Sequence, residues 1–132
     1  MPIKPFEVQV RFSDLDLLGH VNNVIYLSYF EMARIHYFHP LLGDNWDWQK
    51  EGVVLVNNQV TYKKPIYLHD KPIITIHVTN IGTKSFTIGY EVIVNNENRA
   101  SGTSTLVCFD NRKQISIEIP LKMKEALKQF AP

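Results

Sequence analysis

Between Asn22 and Pro40 runs a segment, NVIYLSYFEMARIHYFH, whose apolar residues leave almost no face free for water. Val24, Leu27, Phe30, Ala33 and Tyr37 recur at steps of three and four, the period of a helix. Tyr26, Tyr29, Met32 and Phe38 fill most of what is left, and only Ser28, Glu31 and Arg34 form a narrow polar stripe. A surface helix is ordinarily apolar along one stripe alone, so a helix apolar on most sides must be enclosed. The enclosing material has to be a sheet curled around it, with a second subunit as further cover. Asn22 suits the N-cap, and Pro40 predicts the end of the helix by disfavouring helical geometry at His39.

The rest of the chain supplies such a sheet. Phe6, Val8, Val10 and Phe12 alternate with Glu7, Gln9 and Arg11, predicting a first strand with one buried face. Val53 to Tyr62 is a β-branched run, Ile74 to Thr79 alternates, and Phe86, Ile88, Tyr90, Val92 and Val94 alternate again. Lys64-Pro65, Gly82-Thr83 and the run Asn95-Asn96-Glu97-Asn98 punctuate them. Arg99 to Phe109 begins with small residues that let a helix approach closely. Ile115, Ile117 and Ile119 predict a short last strand, and Pro120 opens a C-terminal helix ending near Phe130. The expectation is an α+β chain, residues 1–132 as a single domain, with an antiparallel sheet of about five or six strands around one long helix.

Composition narrows the function. Fourteen Lys and Arg against thirteen Asp and Glu leave a net charge of +1, no field for steering nucleic acid or anionic membranes. The single Cys108 excludes an intramolecular disulfide and a Cys-rich zinc site. The N-terminus has no long apolar h-region and no run reaches a membrane span, so the expectation is a soluble cytoplasmic protein. His36 and His39 share a helix face, but no Cys or carboxylate completes a metal set around them, and they read as structural. Phosphate-loop, H-E-x-x-H and G-x-S-x-G patterns are absent.

The chemistry-bearing stretch is DLDLLGHVNN, Asp14 to Asn23, between the first strand and the helix. Taken with Arg11-Phe12-Ser13 before it and Tyr26-Leu27-Ser28-Tyr29-Phe30-Glu31-Met32-Ala33-Arg34 after it, it resembles the 4-hydroxybenzoyl-CoA thioesterase-like branch of the hotdog-fold acyl-CoA thioesterases. The resemblance continues through Tyr62-Lys63-Lys64-Pro65-Ile66-Tyr67-Leu68-His69-Asp70, Gly82-Thr83-Lys84-Ser85-Phe86, Ala100-Ser101-Gly102 and Phe109-Asp110. It implies a hotdog fold, with the long helix as sausage and the sheet as bun. It also implies homodimers or homotetramers with the site between subunits, an acyl-CoA substrate, and neither metal nor dissociable cofactor. The family's acidic residue falls on Asp16, and its carbonyl-polarising backbone N–H falls on Asn23.

Those residue types suit thioester hydrolysis. The first N–H groups of a helix lack intrahelical partners and carry partial positive charge, a place for an oxyanion. Asp16 can attack the carbonyl or act as general base on water, and the sequence leaves both open. Gly19 gives the loop freedom to fold that carboxylate back, and Asp14 reads as a structural anchor. His20 is a candidate member of the catalytic group, because the block also resembles the HVNN of acyl-carrier-protein thioesterases. A Cys108 nucleophile is the weaker corollary, since a thiol in an apolar run is ordinarily inert. Asn22 reads as cap and as a substrate-binding candidate, and Tyr26 as core or a wall of the acyl pocket. Lys84 and Ser85 are expected near the coenzyme A pantetheine and phosphates, with Lys63 and Lys64 as weaker candidates. An acyl-carrier-protein thioesterase and a non-catalytic acyl-thioester binder are the alternative functions.

Overall fold

The computed structural model describes residues 3–132. Six strands and two helices follow in the order β1 (Phe6–Glu7), α1 (Ile25–Leu42), β2 (Gly52–Tyr62), β3 (Ile73–Ile81), β4 (Ser85–Val94), β5 (Glu97–Asp110), β6 (Ile115–Ser116) and α2 (Leu121–Lys128), with a 3-10 turn over Phe12–Asp14. The strands form one antiparallel sheet in the order β1-β3-β4-β5-β2, and β6 adds to the end of β5. This is the α+β hotdog architecture expected from the sequence, with α1 packed against one face of the sheet.

Period two decides which side chains face the helix. Phe86, Ile88, Tyr90, Val92 and Val94 of β4 and Ala100, Ser104, Leu106 and Cys108 of β5 are all buried, as are Tyr26, Tyr29, Phe30, Ala33, Tyr37, Phe38 and Leu42 of α1. The small residues of β5 do what their size allows. Phe30 stacks flat on Tyr90, with centroids 4.1 Å apart, directly over Gly102. A Cβ at position 102 would come within 2.6 Å of the Phe30 ring and 2.8 Å of the Gln59 carbonyl oxygen.

Three boundaries differ from the sequence reading. The first strand pairs over Phe6–Glu7 only, followed by one further bond from the Val8 N–H to the Pro72 carbonyl. Pro72 has no N–H to return, so the ladder stops. Val8 and Val10 are buried, whereas Phe12 has turned out at 82% exposure. The helix also continues through Pro40 to Leu42, and Gly43 (φ +90°) ends it, its N–H donating to the His39 carbonyl. At its start, the helix begins at Ile25 rather than Asn23, and Val24, its N-cap, is largely exposed.

Candidate active site

The loop before α1 is closed on itself by its own backbone. Leu15 bridges Val21, the Asp16 N–H donates to the His20 carbonyl, and the Gly19 N–H donates to the Asp16 carbonyl. Gly19 sits at φ +78°, the left-handed region where glycine carries no Cβ penalty. Within this turn Asp16 Oδ1 accepts the N–H groups of Leu18 (2.9 Å) and His20 (3.2 Å), while Oδ2 has no protein partner among the described residues. The half-buried carboxylate is thus oriented through one oxygen, with the other unbonded.

Asp14 is anchored differently. Its Oδ2 accepts the Arg11 N–H (2.9 Å) and the hydroxyl of the buried Tyr29 (2.7 Å). Burial, then that carboxylate, push the Tyr29 hydroxyl far above the usual phenol range, so it stays a donor. Asp14 is thus anchored to the helix through Tyr29.

The helix end is prepared by a peptide rather than by a side chain. The Asn22 carbonyl accepts the Ile25 N–H (2.9 Å), and the same planar peptide carries the Asn23 N–H, which points the opposite way, off the N-terminal end. That N–H donates no hydrogen bond among the described residues. The N-cap is Val24, with no side-chain cap hydrogen bond, and not Asn22 as the sequence reading had it; the Asn22 side chain accepts the Val24 N–H (3.1 Å) within the turn before the helix.

Asp16, His20, Asn23 and Tyr26 line one cleft of about 220 Å³ together with Tyr62, Lys63, Lys64 and Pro65. The Tyr62 hydroxyl donates to the Asn23 carbonyl (2.7 Å) and its ring meets Tyr26 edge-on. Tyr26 is buried, which together with Tyr62 pushes its phenol up to about 12 against a lowering by Arg99. His20 makes no side-chain hydrogen bond among the described residues; its ring packs edge-on against Tyr67 at 5.2 Å. Tyr62 had no place among the sequence candidates. Its only signal was its position as the last aromatic of a strand running into Lys63-Lys64-Pro65.

Arg99 holds the Lys63–Pro65 segment of the cleft in place. Its Nη1 donates to the Pro65 carbonyl (2.6 Å), and its own carbonyl accepts the N–H groups of Lys63 and Lys64. Asp70, 3.5 Å from Nη1, accepts the Tyr67 N–H (2.8 Å). Nε lies 2.7 Å from Glu97, an ion pair off the N–H axis that leaves the Nε–H itself unbonded.

Lys84 and Ser85 lie elsewhere. Ser85 pairs with Val107 of β5, whereas Tyr62 at the cleft pairs with Ala100, seven residues or about 23 Å away along one strand. Lys84 Nζ donates to Ser116 Oγ (3.4 Å). Cys108 is fully buried against Met123, and burial pushes its thiol up to about 11, with Glu51 adding to the rise. His36 bonds the Lys4 carbonyl and His39 bonds Asp44, and no cluster of three His, Cys, Asp or Glu suited to a metal occurs among the described residues. Among the described residues no helix is long and apolar enough to cross a membrane.

The family model for the thioesterase-like superfamily matches residues 10–127. The chain belongs to that superfamily. Among curated relatives, the long-chain acyl-CoA thioesterase FadM of Escherichia coli K12 is 28% identical over 129 residues, spanning 94% of this chain and 96% of its own length. A thioesterase of Thermus thermophilus, solved in complex with coenzyme A and Zn, is 33% identical with a TM-score of 0.83, covering 96% of this chain and 92% of its own. A gentisyl-coenzyme A thioesterase superposes with a TM-score of 0.85 at 23% identity, covering 94% and 99%, and shares the fold. With these relatives, the chain is a thioester hydrolase.

Proposed function

We propose that this thioester hydrolase acts on acyl-coenzyme A, in the manner of the 4-hydroxybenzoyl-CoA thioesterase-like branch, and that the reaction takes place in the Asp16 cleft. The observation that carries this reading is that a carboxylate with one free oxygen and an unpartnered N–H at a helix end line the same cleft. The Asn23 N–H polarises the thioester carbonyl and receives the charge that develops on its oxygen.

On the general-base route Asp16 takes a proton from water as the water oxygen bonds to the carbonyl carbon. The C–S bond then breaks, and the departing thiolate takes up the proton, leaving a carboxylic acid and coenzyme A. On the nucleophilic route Asp16 Oδ2 itself bonds to the carbonyl carbon and expels the thiolate, and water hydrolyses the resulting anhydride. His20 contacts substrate from the Tyr67 side, and Tyr26 and Tyr62 form the floor. Lys63 and Lys64 stand at the same cleft, where their charge suits the coenzyme A phosphates.

The assembly belongs to this reading. β2 is an eleven-residue edge strand on which Val54, Leu55 and Val56 are exposed at 41%, 43% and 56%. An apolar edge of this length invites pairing with another strand. A two-fold pairing of β2 with its counterpart sets the Tyr62 end of one copy against the Gly52 end of the other. It thereby carries the second copy's Lys84 and Ser85 toward the first copy's cleft, the place assigned to them from sequence.

Thiol release measured across acyl-coenzyme A and acyl-carrier-protein thioesters tests the activity. Turnover of the coenzyme A series is expected, with aliphatic chains preferred to aromatic ones. Turnover confined to carrier-protein thioesters would reassign the substrate, and tight binding without turnover would make the chain a binder. Light scattering is expected to show a dimer or tetramer, and an active monomer would sink the paired-edge arrangement.

A further inference from the structure

The two groups that act in the proposed reaction sit on different pieces of backbone. Asp16 is held within its own turn by the N–H groups of Leu18 and His20, whereas the Asn23 N–H belongs to the helix end. The tip of that turn, Leu17 and Leu18, is exposed, so nothing there holds it against α1. Attack and charge stabilisation must nevertheless fall on one carbonyl, which requires a fixed separation between carboxylate and N–H.

Asp14 joins the two pieces. Its carbonyl accepts the Asn22 N–H (2.8 Å), and the Asn22 carbonyl accepts the Ile25 N–H (2.9 Å). Both peptides that meet at Asn22 are therefore anchored, which leaves the Asn23 N–H a single direction. The Asp14 carboxylate in turn accepts the hydroxyl of Tyr29 (2.7 Å), a residue of the second turn of α1. Tyr29, the helix, Asn22 and Asp14 close a ring of bonds, from which Asp16 follows Asp14 by two residues and Asn23 follows Asn22 by one. Neither Tyr29 nor Asp14 lines the cleft. A buried tyrosine needs some acceptor for its hydroxyl, but here the acceptor is the residue whose own carbonyl holds the helix end.

We propose that Tyr29 is a positioning residue for hydrolysis, holding the Asp16 turn and the Asn23 N–H at a fixed separation through Asp14. Tyr29 acts from outside the cleft, and its role rests on the reading that the reaction takes place there. Displacement by about 1 Å from a change away from the chemistry costs as much as about 100-fold in rate.

Thiol release is followed on butanoyl-, dodecanoyl- and hexadecanoyl-coenzyme A for Tyr29→Phe, Asp14→Ala, Asp14→Asn and the double variant Tyr29→Phe/Asp14→Ala. In Tyr29→Phe kcat is expected to fall about tenfold or more with KM within about twofold, because the loss is of orientation and not of substrate contact. Asp14→Ala is expected to match it, and the double variant to be no slower than Asp14→Ala, since both changes open one ring. Asp14→Asn keeps an accepting oxygen and is expected to recover kcat to within about threefold of wild type. Amide exchange at Asn22, read by NMR without turnover, is expected to quicken about fivefold or more in Tyr29→Phe.

A kcat in Tyr29→Phe within about twofold of wild type, additive losses in the double variant, or an unchanged Asn22 exchange rate overturns the proposal. So does an Asp14→Asn as slow as Asp14→Ala, which would give the Asp14 charge a part in the chemistry. Quicker Asn22 exchange with kcat intact in Tyr29→Phe removes the positioning role and leaves the cleft reading standing. An intact kcat in Asp16→Asn as well takes the reaction out of the cleft.

Discussion

The two ends of α1 are built from the same helix and the same sheet, and they differ in what is left unsatisfied. At the N-terminal end the unpartnered groups are small and fixed: one carboxylate oxygen of Asp16 and one backbone N–H at Asn23, with Tyr62 bonded to the adjoining turn. At the C-terminal half the void is larger and apolar, with Arg34 as its main polar donor. The first can lower a barrier, because its groups are held before a substrate arrives. The second offers apolar volume, with Glu31, Arg34 and His39 as its charged lining. On the proposed reading, reactivity follows from orientation by backbone, and capacity from missing side-chain volume.

The strongest way to break this contrast is Asp16→Asn, which keeps the shape and the accepting oxygen. Thiol release from acyl-coenzyme A is expected to fall about 100-fold or more in kcat with the circular dichroism spectrum unchanged. Activity surviving within about tenfold would take the chemistry away from the N-terminal end. Gly102→Val strikes between the two ends, where a Cβ would meet the Phe30 ring and the Gln59 carbonyl. Urea unfolding is expected to show a loss of about 1–3 kcal/mol, the usual range for overpacking. An unchanged midpoint would mean that α1 does not depend on that close approach.

Tyr62→Phe sharpens the contrast more gently. It deletes the bond to the Asn23 carbonyl, worth about 1 kcal/mol, so kcat/KM is expected to drop about fivefold with no change in tryptophan emission, which Trp48 reports from the Arg34 cavity. A matching change at both ends would show that the whole helix shifts. The smallest effect is expected at Cys108. With its thiol raised to about 11 and fully buried, native protein is expected to resist iodoacetamide at pH 8, where the thiolate is nearly absent, and to react once unfolded. Cys108→Ser is expected to keep kcat/KM within about twofold. A large loss in that variant would revive a cysteine nucleophile.

Much of this was legible in the sequence. Strand alternation in Phe86–Val94 marks the inner face residue by residue, and the apolar girth of Tyr26 to Phe38 demands a sheet around it. Misreadings cluster where a distant partner overrides a local rule. Phe12 continues the alternation of its neighbours, but the ladder ends where Pro72 meets it, so Phe12 turns outward. Pro40 reads as a stop, yet a proline in the last turn interrupts little that the helix still needs, and Gly43 closes it instead. Tyr62 could not be found from its surroundings in the chain, because its hydroxyl bonds a carbonyl 39 residues away.

By itself the sequence determined the hotdog architecture, the candidate acid Asp16, the anchoring role of Asp14 and the glycine turn at Gly19, because each rests on local period, local turn chemistry or a contiguous motif. Only the tertiary structure decided that Tyr62, Lys63 and Lys64 share the cleft with Asp16 while Lys84 and Ser85 stand about 23 Å away along β5. It alone also placed Arg34 on the wall of an apolar cavity rather than on the solvent stripe its helical position suggested. Strand register and helix rotation bring residues together across dozens of positions in the chain, and neither is written in the spacing of nearby residues.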